Sequence, residues 1–135
     1  MISSKDGIDD VKKIESQKAP AAIGPYSQAI EHNGFLFVSG QLPLDPADGT
    51  IVGSDAAEQI RQCLSNLAAI ATAAGGSLAT TVKTTVLLTN LDEFSAVNEV
   101  YGNYFQAPYP ARACYQVVAL PKGARVEVEA IIALG

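Results

Sequence analysis

The sequence predicts an α+β fold, one β-sheet with two helices on a single face. Three observations carry that prediction. Two stretches repeat apolar residues at helical spacing, the remaining apolar runs are short and β-branched, and the two kinds alternate along the chain. With 135 residues, 48% hydrophobic and 17% charged, the chain is expected to build one packed core over residues 11–135. A polar extension over residues 1–10 should precede it.

A short strand is expected near Lys12 to Ser16. Ala19-Pro20-Ala21-Ala22-Ile23-Gly24-Pro25-Tyr26 holds two prolines and a glycine, which excludes regular structure. Ser27 to Glu31 and Phe35 to Gly40 read as a hairpin around His32-Asn33-Gly34, since Asn-Gly favours tight turns. Pro43, Pro46, Asp48 and Gly49 mark a loop. Asp55 with Glu58 predicts a capped helix whose stripe is Ile60, Cys63, Leu64, Leu67, Ile70 and Ala74, stopped by Gly75-Gly76. Val82 to Thr89 is strand-like. Asn90 with Glu93 predicts the start of a second helix, with Phe94, Val97, Tyr101, Tyr104 and Phe105 as its stripe and Pro108 and Pro110 as its stop. Strands over Arg112 to Val118 and Arg125 to Ala133 close the chain, joined through Pro121-Lys122-Gly123. Phe35-Leu36-Phe37-Val38 and Val86-Leu87-Leu88 are apolar on both sides of the pleat, while two helices cover one side. Self-association is the expected cover for the other.

The net charge of −5 argues against broad nucleic-acid binding, which needs a basic face. Cys63, Cys114 and the single His32 form no CxxC pair and no zinc set. No metal or cofactor is expected. Met1 to Lys18 has no apolar signal core and fits a transit peptide badly. No segment approaches the roughly 20 apolar residues of a membrane helix. A soluble, cytoplasmic protein is expected, with a mitochondrial pool left open.

Arg112 is the most informative single residue. It opens a strand just after Pro110-Ala111, where a guanidinium either pairs with a protein carboxylate or receives an anionic ligand. Pattern alone favours a structural salt bridge or simple exposure. Glu127 and Glu129 share one strand face and suit acid–base work, although such pairs are more often a solvated face or paired with Arg125. Tyr26 is either a phenolic donor or a packed turn residue. Ser39-Gly40 ends a strand where backbone can approach a ligand. Cys114 has no histidine to activate it, and no serine-nucleophile elbow, phosphate loop or dinucleotide fingerprint occurs. These residues alone name no function.

Taken together, the ordered blocks resemble the RidA (YjgF) family of reactive-intermediate deaminases over about residues 14–134. The blocks are Ala19 to Ala29, Val38-Ser39-Gly40-Gln41, Val82-Lys83-Thr84-Thr85-Val86, Val97-Asn98, Pro110-Ala111-Arg112, Leu120-Pro121-Lys122 and Val126 to Ala130. Cys114-Tyr115-Gln116-Val117 looks like the animal-type branch. The resemblance implies a chorismate-mutase-like fold, with a mixed sheet, two helices on one face, and a homotrimer around a central β-barrel with clefts between subunits. It also implies hydrolysis of 2-iminobutanoate and 2-iminopropanoate, enamine/imine intermediates of amino acid metabolism, to 2-keto acids and ammonia. Arg112 would clamp the 2-imino acid carboxylate, with Tyr26, Ser39, Gly40 and Asn98 lining the cleft. Glu127 would activate a water with the main-chain carbonyl of Cys114, and Glu129 would be structural. An endoribonuclease inhibiting translation and a non-catalytic binding or chaperone-like module are the alternatives. The departures are the extension before Ile14 and the Gln106-Ala107-Pro108-Tyr109 linker.

Overall fold

Alternation of buried and exposed residues organises one six-stranded sheet in the computed structural model, which describes residues 10–135. The expected extension over residues 1–10 lies, but for Asp10, outside the described residues. The strands are β1 (Lys12–Ile14), β2 (Ala29–His32), β3 (Phe35–Gln41), β4 (Thr81–Leu88), β5 (Ala111–Gln116) and β6 (Val126–Ala133). The helices are α1 (Ala56–Ala73) and α2 (Phe94–Gly102). The sheet order is β1-β2-β3-β6-β4-β5. Among the described residues only β4 and β5 run parallel, as a strand–helix–strand crossover through α2 requires.

The hairpin forms as expected, but its turn is the two residues Asn33 and Gly34. Their φ angles of 52° and 81° match the twist of paired strands. His32 is therefore the last residue of β2. The two final strands are not neighbours, because β6 inserts between β3 and β4 and contacts both. The Pro121–Gly123 turn carries the chain across the sheet.

Helix α1 is fixed by its cap and its buried face. Asp55 accepts from the Glu58 amide at 2.8 Å. The reciprocal half of the expected capping box is absent, because Glu58 Oε1 accepts from the Ser54 amide and hydroxyl at 2.8 and 2.9 Å. Ile60, Cys63, Leu64, Leu67 and Ile70 have no exposed surface; each such aliphatic side chain contributes about 1.5–3 kcal/mol by burial. They meet Leu36, Val86, Val126, Val128 and Ile132 in one core.

The second helix is shorter than its apolar stripe suggests. Asn90 caps a 3₁₀ turn, Leu91–Glu93, and α2 begins after it. The helix ends at Gly102, where the Asn103 and Tyr104 amides donate to carbonyls three residues back, so Tyr104 and Phe105 lie beyond it. Glu93 is drawn away from capping its own helix. It accepts from the Ala56 amide at 3.1 Å and from Arg125 at 3.2 Å.

Both helices pack on one face. The other face carries Phe35 and Phe37 at 41% and 44% exposure, with Thr85 and Ile131 around a shallow hollow beside Phe37. Among the described residues no helix is long and apolar enough to cross a membrane.

Candidate active site

The candidate residues fall into two clusters, one on each face of the sheet. Arg112 belongs to the helix face. It pairs in register with Thr84, a fully buried residue, and paired residues share a face. Phe94, Asn98 and Tyr101, spaced i, i+4 and i+7, put one stripe of α2 beside it. The Arg112 guanidinium donates from Nη1 to Asn98 Oδ1 at 2.7 Å. It lies 4.8 Å from the Tyr101 ring centroid and 5.4 Å from that of Phe94, both within cation–π reach. The only carboxylate–cation pairs among the described residues are Lys13–Glu15 and Arg125–Glu93. Of the two readings that pattern alone favours, the structural ion pair is not formed at Arg112, while the residue is exposed. A cavity of about 450 Å³ opens in front of the guanidinium, lined by Asn98, Tyr101, Gly102, Tyr109 and Pro110.

Cys114 lies two residues along β5 on the same face. Burial raises its thiol pKa and the Arg112 charge offsets part of that rise, so the thiol stays protonated near neutrality. Cys63 is buried, and burial together with the charge of Glu127 pushes its thiol up strongly. Neither sulfur is an activated nucleophile.

Glu127 belongs to the open face, paired with Leu87 between the inward-facing Val126 and Val128. Its carboxyl pKa is raised, first by burial and then by the neighbouring charge of Glu129. The pairing of Arg125 with these carboxylates, one option the sequence leaves open, does not occur. Arg125 stands ahead of the strand, where buried Gln59 accepts from its amide at 2.8 Å, and its side chain turns to Glu93.

Gly40 explains how Glu127 is accommodated. Val38 pairs with Ala130 and Gln41 with Val128, so Ser39 and Gly40 bulge opposite one residue of β6. A Cβ on Gly40 would collide with Glu127 Oε2 and stand 2.7 Å from its Cδ. Only glycine leaves room for the carboxylate against the strand.

Ser39 and Gln28 pin the Tyr26 loop. The Ser39 hydroxyl donates to the Ser27 carbonyl at 2.6 Å, committing its proton to the loop instead of a ligand. Gln28, 4% exposed, accepts from the Ser16 amide at 2.6 Å and donates to the Pro20 carbonyl at 2.7 Å. The loop thus holds its shape without regular secondary structure. Tyr26, 54% exposed, shares a small hollow with Gly40, Gln41 and Pro20. A larger hollow of about 660 Å³ also reaches Tyr26, but its charged lining residues are Lys13 and Glu15, which pair with each other at 3.0 Å.

Within one chain, Tyr26, Ser39, Gly40 and Glu127 form one group and Arg112, Asn98 and Cys114 another. The sequence reading missed Phe94 and Tyr101 as partners of Arg112, because their apolar spacing assigned them to the core. The i+4 position of Asn98 between them was the available signal. Among the described residues no three His, Cys, Asp or Glu side chains gather as a metal site.

Comparison with known proteins places this architecture. The family profile described as Endoribonuclease L-PSP matches residues 16–134. The RutC family protein y4sK of Sinorhizobium fredii is 60% identical over 92% of this chain and 98% of its own length. The 2-iminobutanoate/2-iminopropanoate deaminase of Bos taurus is 53% identical over 92% and 90%. The crystal structure of E. coli TdcF with bound serine superposes with a TM-score of 0.86 at 44% identity, covering 92% of this chain and 99% of that one. With the profile spanning nearly all of the described sheet and helices, the chain belongs to the RidA (YjgF) family, the family of the Endoribonuclease L-PSP profile.

Proposed function

We propose that the protein is a cofactor-independent imine deaminase that hydrolyses 2-iminobutanoate and 2-iminopropanoate to the 2-keto acids and ammonia. The observation that carries this reading is the Arg112 cleft. A guanidinium braced by Asn98 and two aromatic rings, with no carboxylate partner among the described residues, is suited to a small carboxylate. Among the described residues it is the sole cation lining its cavity. That suits one anionic group and not a phosphate backbone, which needs several. The bovine relative's name gives the substrate class.

The reaction adds water across C=N. Arg112 binds the carboxylate of the 2-imino acid. Glu127 takes a proton from a water held with the Cys114 carbonyl, the oxygen bonds to the imine carbon as the C=N electron pair passes to nitrogen, and Glu127 returns the proton to that nitrogen. The carbinolamine then loses its hydroxyl proton, the C–N bond breaks, and ammonia leaves with the transferred proton. A carboxyl whose pKa is raised toward the working pH is a better base for this step.

Arg112 and Glu127 project from opposite faces of one sheet, so each site would join two copies. We assign Arg112, Asn98 and Cys114 to one chain and Tyr26, Ser39, Gly40 and Glu127 to its neighbour in a homotrimer. The apolar open face with Phe35 and Phe37 supports that assembly, closing around a central barrel. We place this single-domain catalytic unit, residues 11–135, in the cytoplasm on the strength of its unpaired Cys63 and Cys114 and acidic charge.

The test is ammonia or keto-acid release from 2-iminobutanoate made in situ by an amino acid oxidase. Acceleration above the spontaneous rate, lost in folded Arg112→Ala and Glu127→Ala, is the expected result. No acceleration by the wild type would overturn the assignment.

A further inference from the structure

Arg112 is a long, flexible side chain on the edge strand of the sheet, and a two-pronged grip on a carboxylate needs its guanidinium plane held still. Asn98 fixes one N–H, which leaves rotation about that hydrogen bond free. The Tyr101 ring, 4.8 Å from the guanidinium, supplies the plane. What holds the ring is unusual for a helix residue. Its phenolic oxygen shares a 2.7 Å hydrogen bond with Thr84 Oγ1, and Thr84 is the residue paired with Arg112 across the β4–β5 ladder. Thr84 is fully buried and Tyr101 is 5% exposed. Phe105 packs against it, with ring centroids 4.6 Å apart. The strand residue beside Arg112 therefore ties down the helix residue that carries its guanidinium.

We infer that Thr84 and Tyr101 act as a positioning pair for substrate binding, their hydrogen bond setting the plane in which Arg112 meets the substrate carboxylate. The inference rests on the imine-deaminase reading for its substrate and on geometry alone for the coupling. A pair of hydrophobic core residues would fill the same volume, so the two hydroxyls mark a need for orientation beyond packing.

Removing one hydroxyl leaves the other buried without a partner, which destabilises a protein whatever its role; removing both is close to neutral for stability. That difference separates positioning from structure. In Thr84→Val and Tyr101→Phe, KM for 2-iminobutanoate should rise about fivefold, with kcat within about twofold. Thr84→Ser, which keeps the hydroxyl, should restore KM. The double variant Thr84→Val/Tyr101→Phe should recover the wild-type melting temperature while KM stays raised by the same factor. A double variant that regains both stability and wild-type KM would overturn the inference, as would a loss confined to kcat. Nitrogen NMR of the Arg112 guanidinium gives a readout independent of activity. Resolved, slowly rotating Nη groups in the wild type should become averaged in the double variant. Should the wild type fail to hydrolyse the imine, the activity assignment falls and the NMR comparison alone decides the pairing: unchanged Arg112 rotation refutes it.

Discussion

Within one chain Arg112 is held by more partners than Glu127. Helix α2 gives Arg112 a hydrogen bond and two rings, and the strand beside it gives Thr84. Glu127 has a glycine, a half-buried setting and a second carboxylate nearby, which leave its pKa raised. A binding group gains from being held before the ligand arrives. A base gains from a carboxylate that is not stabilised by a cation of its own. The two faces of the sheet are thus proposed to do different kinds of work, with the chemistry beginning where copies bring them together.

The comparison is broken most completely at Glu127. Glu127→Gln keeps the shape and removes the base, so kcat should fall about 10²–10⁴-fold with KM little changed, read by steady-state ammonia release. Stability should move the other way. A carboxyl whose folded pKa is raised favours the fold below its unfolded pKa and loses that contribution as pH rises through the folded value. Glu127→Gln should therefore raise the melting temperature at neutral pH and leave it unchanged in acid.

Arg112→Ala removes the clamp instead. Truncating one partner of such a pair costs about 2–5 kcal/mol, equivalent to about 30- to 5,000-fold in kcat/KM. The proposed trimer should stay intact by light scattering, because the guanidinium's observed partners lie on its own chain. Smaller again is Gly40→Ala. Its methyl displaces the Glu127 carboxylate, and a displacement near 1 Å costs on the order of 10²-fold in rate. Circular dichroism should show the fold unchanged. The gentlest variant is Glu129→Gln, which removes the neighbouring charge that helps raise the Glu127 pKa. The base must be ionised to act, so the acid limb of the kcat/KM–pH profile should shift to lower pH.

Much of the architecture was legible in the sequence because its signals are local. The Asn33-Gly34 turn, the Asp55 cap and the α1 stripe each follow from spacing within a few residues. What escaped depended on distant partners. Glu93 reads as the start of a helix, yet Arg125 and the Ala56 amide claim it. The last two strands read as consecutive, while the sheet separates them. Arg112 and Glu127 were singled out as candidates by type and strand position, their roles came from the resemblance, and their opposition across the sheet is a matter of register. Tyr101 looked like core because it is core, and its second contact, with Arg112, leaves no mark on hydrophobic spacing.

The proposed division of the site between chains is tested most directly by mixing two inactive proteins. Arg112→Ala and Glu127→Ala chains, unfolded together in equal amounts and refolded, should assemble at random. A site made by two chains then draws Arg112 and Glu127 intact from different copies in about a quarter of cases, so about a quarter of wild-type activity should return. No recovery from a mixture shown by mass spectrometry to contain hybrid trimers would contradict the account, placing both residues of each site on a single chain.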